Sequence, residues 1–222
     1  MRRTRRAPSG SPCAVIFDLD GTLLDSEPVY RAAFAAALAA FGRSLDAGLY
    51  ARLIGVATPD RIPLLAAAFG SAFPIAAFLA EYYRQKRRRV QHGIPMKPGA
   101  VALLEWLRHR GVPVAIATSS TCATARSNLA RAGLHDRFAA VLTRDQVARQ
   151  KPFPDLFVQA AAALDVPRDA CLALEDSAHG ALAAHRAGMI SVLVPDLAVV
   201  PAHAQARTLA DLHAVRAMLA EN

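Results

Sequence analysis

Cysteine is scarce in this 222-residue chain, and Cys13, Cys122 and Cys171 are too few and too scattered for a disulfide framework or a paired-cysteine metal site. That usage fits a reducing compartment, so a cytoplasmic location is expected. Aromatic residues make up only 6% of the chain and Trp106 is the single tryptophan, which implies no stacking platform. Long apolar runs are missing too: none approaches the roughly 20 residues that a membrane-spanning helix requires. The arginines of the first residues are followed by only five apolar positions before an aspartate, too short a stretch for a secretion signal, so 1–11 is expected to be a disordered basic tail.

Lysine is nearly absent as well. With only Lys86, Lys97 and Lys151 present, the net charge of +8 is almost entirely arginine, gathered in the tail and in the run 84–89. That run closes an amphipathic helical pattern in which Ile75, Phe78, Leu79, Tyr82 and Tyr83 recur at helical spacing. A solvated helix end accounts for the charge. A basic nucleic-acid-binding module stands as the non-enzymatic alternative, disfavoured because no nucleic-acid motif accompanies the run.

What is present is a chain 54% hydrophobic and 20% charged, able to bury a core as one large domain or as a domain carrying an insert. Residues 13–19 read as a buried strand stopped by Asp20-Gly21, and from Pro28 to about Val90 the pattern is helical without a convincing strand. From Pro98 onward the rhythm alternates: helices over 100–110, 122–132, 155–164 and 178–187, strands over 113–118, 138–142, 170–174 and 190–194. A last helical pattern runs through Leu209, Leu212, Val215, Met218 and Leu219. Such alternation predicts an α/β fold, a Rossmann-like parallel sheet with helices on both faces, interrupted by a small helical domain. The expected boundaries are 12–28 and 95–222 for the core and 29–94 for the insert.

In a parallel sheet, ligands gather at the carboxyl ends of the strands. Asp18 and Asp20 follow the first strand, Thr118 and Ser119 a second, Glu175 and Asp176 a later one, with Lys151 in a loop before a helix. Four acids at one edge repel unless a hard cation neutralises them, which makes Asp18, Asp20, Glu175 and Asp176 a candidate Mg2+ site. Lys151 would balance a substrate phosphate, and Thr118 and Ser119 would donate to its oxygens. An aspartate is already ionised at neutral pH and needs no activating base, so Asp18 suits a nucleophile, and Asp20 a general acid/base. His179 and His185, six apart on one helix, share no face and make no paired metal site.

The strings FDLDGTLLDSE at 17–27, ATSS at 117–120, KPFPDLF at 151–157 and LEDSAHGALAAHRAGM at 174–189 resemble the four ordered motifs of the haloacid dehalogenase superfamily. The likeness is greatest to its phosphatases and phosphomutases with a helical cap between the first and second motifs, and within them ATSS, the LEDS segment and the following VPD at 194–196 resemble pseudouridine-5'-phosphatase-like and sugar-phosphate phosphatases. The resemblance implies an aspartyl-phosphate on Asp18, a backbone carbonyl of Asp20 toward the metal, Glu175 and Asp176 as further ligands, Thr118 and Lys151 on phosphate with Ser119 assisting, and Thr22 bonded within the catalytic loop. It implies a small phosphorylated metabolite as partner, with a phosphomutase of the β-phosphoglucomutase type as the alternative. Tyr30 stands where mutase-like sequences carry a cap histidine, which weighs against that alternative. Tyr30, Arg61, Arg84 and Lys86 are the expected substrate contacts of the mobile cap. The sequence sets no oligomeric state.

Overall fold

The computed structural model describes residues 12–54, 56, 58–196 and 206–221; the tail expected over 1–11 lies outside them. The described residues form two compact units, one from the chain up to Asp25 together with Pro95 onward, the other Ser26–Ile94.

The first unit is built on six parallel strands in the order β3-β2-β1-β4-β5-β6. They are β1 (Ala14–Phe17), β2 (Val114–Thr118), β3 (Ala140–Thr143), β4 (Cys171–Glu175), β5 (Ile190–Leu193) and β6 (Arg207–Thr208). The expected α/β architecture is therefore borne out. β1 is fully buried along its length, as an apolar run between two parallel neighbours requires. Its register sets Phe17 beside Ile116 on one side and Leu174 on the other, so β2 and β4 run on to Thr118 and Glu175 past the end of β1. Alternation sends Ala14, Ile16, Ala115, Ala117, Cys171 and Ala173 to one face, where they pack with Leu156, Phe157, Ala160, Ala183 and Ala184. Val15, Phe17, Ile116, Leu172 and Leu174 are buried on the opposite face.

The second unit is entirely helical: α1 (Ser26–Ala39), α2 (Ala47–Leu53), α3 (Thr58–Phe69) and α4 (Ile75–Val90). All four tyrosines and five of the nine phenylalanines of the chain fall here. They build its core: Phe34 meets Phe78, Tyr82 and Tyr50 edge-on, with centroids 5.0, 5.3 and 5.7 Å apart. On α4 the helical stripe buries Phe78 and Tyr82, whereas Tyr83 turns outward at 37% exposure. The remaining helices belong to the first unit: α5 (Ala100–His109), α6 (Cys122–Arg131), α7 (Asp155–Ala163), α8 (Ala178–Arg186) and α9 (Leu212–Ala220).

Candidate active site

The ends of β1, β2 and β4 assemble the site. Asp18 directly follows β1, and its N–H donates to the Leu174 carbonyl at 2.9 Å, which ties it to β4. The chain then turns tightly, with the N–H groups of Leu23 and Leu24 donating to the Leu19 carbonyl at 3.1 and 2.9 Å. Gly21, at φ +91°, makes this turn possible, and a side chain there would collide with the Asp176 carboxylate. Glu175 ends β4 and Asp176 follows it. As a result Asp18, Glu175 and Asp176 each place a carboxylate oxygen within 4.8 Å of the others.

Lys151 reaches into this cluster from the loop before α7. Its Nζ donates to Asp18 Oδ1 at 2.5 Å, to the Ala117 carbonyl at 2.8 Å and to the Glu175 carboxylate. Burial opposes the ammonium, but the charges of Asp18 and Glu175 outweigh it and hold the Lys151 pKa above its ordinary value. One ammonium cannot serve three acids. Burial, aided by Glu175 and Asp20 and opposed by Lys151, pushes the Asp18 carboxyl up to about 7. Asp176 is likewise raised, first by lost hydration and then by the charges of Asp18 and Glu175. A surplus of negative charge on hard oxygen donors fits a divalent cation such as Mg2+.

The other residues expected from the sequence divide. Thr118, buried at the end of β2, accepts from the Ser120 N–H at 3.0 Å. Ser119, one residue past the end of β2, is exposed, and it is Ser120 Oγ that donates to Asp20 Oδ2 at 2.6 Å. The start of α6 is not a free anion site: the Cys122 N–H is taken by both Asp145 carboxylate oxygens at 3.1 and 3.2 Å. Thr22 Oγ1 bonds outside its own loop, donating to Asp176 Oδ1 at 3.4 Å, since the tight turn aims it at β4 rather than back along the loop.

Besides Ser120, three residues to which the sequence reading gave no role take part. Ser177 Oγ donates to Glu175 Oε2 at 3.1 Å while accepting from the Gly180 N–H at 3.1 Å, thereby capping α8 and fixing the acid together. Gly180 lies so close that a Cβ would overlap the Glu175 carboxylate. Asp196, three residues beyond β5, accepts from Lys97 Nζ at 2.8 Å, and that ammonium is 3.5 Å from Asp25. Gly180 lies inside LEDSAHG and Asp196 inside the VPD string at 194–196, two strings that the sequence reading quoted without giving either residue a role. Gly180→Ala is expected to lower stability by about 1–3 kcal/mol, the usual cost of overpacking, and to weaken divalent-ion binding in a calorimetric titration.

Within the helical unit, Tyr30 and Arg61 line one small cavity of about 20 Å³ together with Glu27, Tyr50 and Tyr82. Burial, then the charge and hydrogen bond of Glu27, raise the Tyr50 pKa; Tyr82 is raised to about 12 by burial, against the charge and hydrogen bond of Arg61. Arg61 Nε donates to the Val56 carbonyl at 2.7 Å. Lys86 Nζ sits 3.4 Å from the Tyr30 ring centroid. Arg84 does not join them: it grips Glu81 one helical turn away at 2.7 and 2.6 Å.

The chain is similar to known proteins in sequence and fold. The description of haloacid dehalogenase-like hydrolases matches residues 14–188, and the chain belongs to that family. It is 30% identical over 176 residues to the phosphorylated carbohydrates phosphatase of Thermotoga maritima, covering 79% of this chain and 82% of the relative. It is 32% identical over 178 residues to the fructose-1-phosphate phosphatase of Escherichia coli, covering 80% and 94%. A HAD family hydrolase from Deinococcus radiodurans, crystallised with phosphate and sodium, shares the fold with a TM-score of 0.80 at 30% identity, covering 96% of this chain and 97% of that one. The expectation of a hydrolase of the phosphatase type is thus met. Among the described residues no helix is long and apolar enough to cross a membrane.

Proposed function

We propose that this chain is a Mg2+-dependent phosphatase of a small phosphorylated metabolite, most simply a phosphorylated carbohydrate, working through an aspartyl-phosphate on Asp18. The observation that carries the reading is the single ammonium of Lys151 set among Asp18, Glu175 and Asp176, an arrangement suited to a dianionic substrate beside a cation. The three carboxylates and the Asp20 backbone carbonyl would hold the ion. Bound there, Mg2+ supplies charge neutralisation for the transferring phosphoryl group.

In this reading an Asp18 oxygen attacks phosphorus, forming the acyl-phosphate bond as the ester P–O bond breaks. Asp20 gives its proton to the departing alkoxide, then takes one from water as that water attacks the phosphorus and returns Asp18 to its carboxylate. Ser120, bonded to Asp20, sets the orientation of that acid. Lys151 and Thr118 hold the phosphate oxygens, with Ser119 at the rim. Tyr30, Arg61 and Lys86 of the helical unit, 29–94 in the domain division proposed from the sequence, contribute to substrate choice; Arg84, committed to Glu81, is left out. The scarcity and scatter of the three cysteines support a cytoplasmic setting.

Phosphate release measured across sugar phosphates, nucleotides and phosphoglycolate, with Mg2+ and with a chelator, tests this. Sugar phosphates are expected to give the highest kcat/KM, with activity lost on chelation. The same assay on a Tyr30→Phe, Arg61→Met variant should raise KM or change the substrate ranking, and an identical profile removes the helical unit from the assignment. No release from any ester in Mg2+ overturns the reading as a whole.

A further inference from the structure

Asp196 is a fifth acid at this edge of the sheet, beside Asp18, Asp20, Glu175 and Asp176, and nothing in the four motifs accounts for it. β5 runs beside β4, and just past its end the Val194 N–H donates to the Glu175 carbonyl at 2.7 Å, so the segment carrying Asp196 is fastened to the strand that carries the acidic pair. The Asp196 side chain is only 8% exposed. Its Oδ1 accepts from Lys97, but its Oδ2 is buried and, among the described residues, without a hydrogen-bond partner. A carboxylate oxygen shut away from bulk water without a donor is costly, and such atoms in native proteins point to a missing water or ion.

The position of that oxygen says which. The space that a side chain on Gly21 would occupy is bordered by two carboxylate oxygens, Asp176 Oδ2 and Asp196 Oδ2, the latter 3.3 Å from where the Cβ would stand. That space is already filled by the Asp176 carboxylate, so Gly21 lets an acid of the cation cluster and the donorless oxygen of Asp196 close on the same turn. Lys97 occupies the other oxygen of Asp196 and fixes the carboxylate in this orientation. Water molecules on a hydrated divalent ion are donors only, and a carboxylate facing them from the second layer is the kind of partner that tunes metal affinity.

We infer that Asp196, oriented by Lys97, is a positioning residue that accepts a hydrogen bond from the hydration shell of the divalent ion held by Asp18, Glu175 and Asp176. The inference rests on the proposed cation site and extends it to a residue outside the motifs. Asparagine is the sharp substitution, because its single oxygen is claimed by Lys97, leaving an NH2 donor where the Oδ2 acceptor stood.

The test is calorimetric titration of the full-length protein with Mg2+, paired with melting curves without and with the ion. Asp196→Asn is expected to raise the Mg2+ Kd at least ~10-fold, to shrink the Mg2+-induced rise in Tm, and to leave the metal-free Tm no lower than in the wild type. A merely structural anchor for Lys97 would do the reverse: a lower metal-free Tm with an unchanged Kd, which overturns the inference. Should Asp196→Asn not fold, the Lys97→Met, Asp196→Leu double variant removes the half-buried ammonium together with the carboxylate, offers the hydration shell no acceptor and is read in the same way. A wild-type protein that binds no Mg2+ defeats this inference and the cation site together; normal wild-type binding with an unaltered variant defeats this inference alone.

Discussion

Asp18→Asn is expected to reduce phosphate release by at least ~100-fold while leaving the protein folded, because an amide offers phosphorus no anionic oxygen to form the acyl phosphate. The structure gives this loss a signature that separates it from unfolding. Asp18 is one of three acids sharing one ammonium, and burial already pushes its carboxyl up to about 7. Removing its charge relieves the cluster, so metal-free Asp18→Asn should melt at or above the wild-type temperature near pH 8, even as turnover disappears. Wild-type protein quenched in acid during turnover should carry one additional phosphoryl group on the peptide containing Asp18, and the variant none. Full activity in the variant would falsify the covalent route.

Lys151→Met is expected to act in the opposite sense on stability. It leaves Asp18 and Glu175 buried without their cation, a change that costs about 3–5 kcal/mol when one partner of a buried pair is removed. The cost should depend on pH. Asp18 binds its proton more tightly in the folded state than the ordinary value of 3.8, so its contribution to stability is complete below about 4 and is lost as pH rises through about 7. In the wild type Lys151 limits that loss; without it the penalty grows. Urea titrations of metal-free protein should therefore show a small difference between wild type and variant near pH 5 and the largest difference above pH 7, and added Mg2+ should recover part of it. A difference independent of pH would mean that Lys151 does not neutralise these acids.

The strands and helices of the first unit were legible because parallel-sheet strands such as CAVIF are continuous apolar runs and the helices between them end at glycines such as Gly111, Gly133 and Gly188, all at positive φ. β6 was not, since two residues, Arg207–Thr208, carry no period. The acids and Lys151 were legible from type and position alone. Ser120 was displaced by Ser119 in the reading because the three hydroxyls Thr118, Ser119 and Ser120 are indistinguishable without knowing which way the chain turns after β2. Arg84 looked like a substrate contact only until its partner one helical turn back, Glu81, was placed against it. Asp196 was quoted within VPD but given no role, since its orientation depends on Lys97, ninety-nine positions away in the chain.

The strand order also bears on how this chain is made. β1 leaves the ribosome first yet lies between two later strands: Val15 pairs with Val114 and with Leu172. Until β4 has been synthesised, the central strand has an open edge and the cluster of Asp18, Glu175 and Asp176 does not exist. The aromatic cluster of the insert, drawn wholly from residues 33–82, can condense well before then. A nascent chain stalled before β4 would carry a folded insert on an unfinished sheet, exposing apolar strand edges to whatever holdase or protease is at hand.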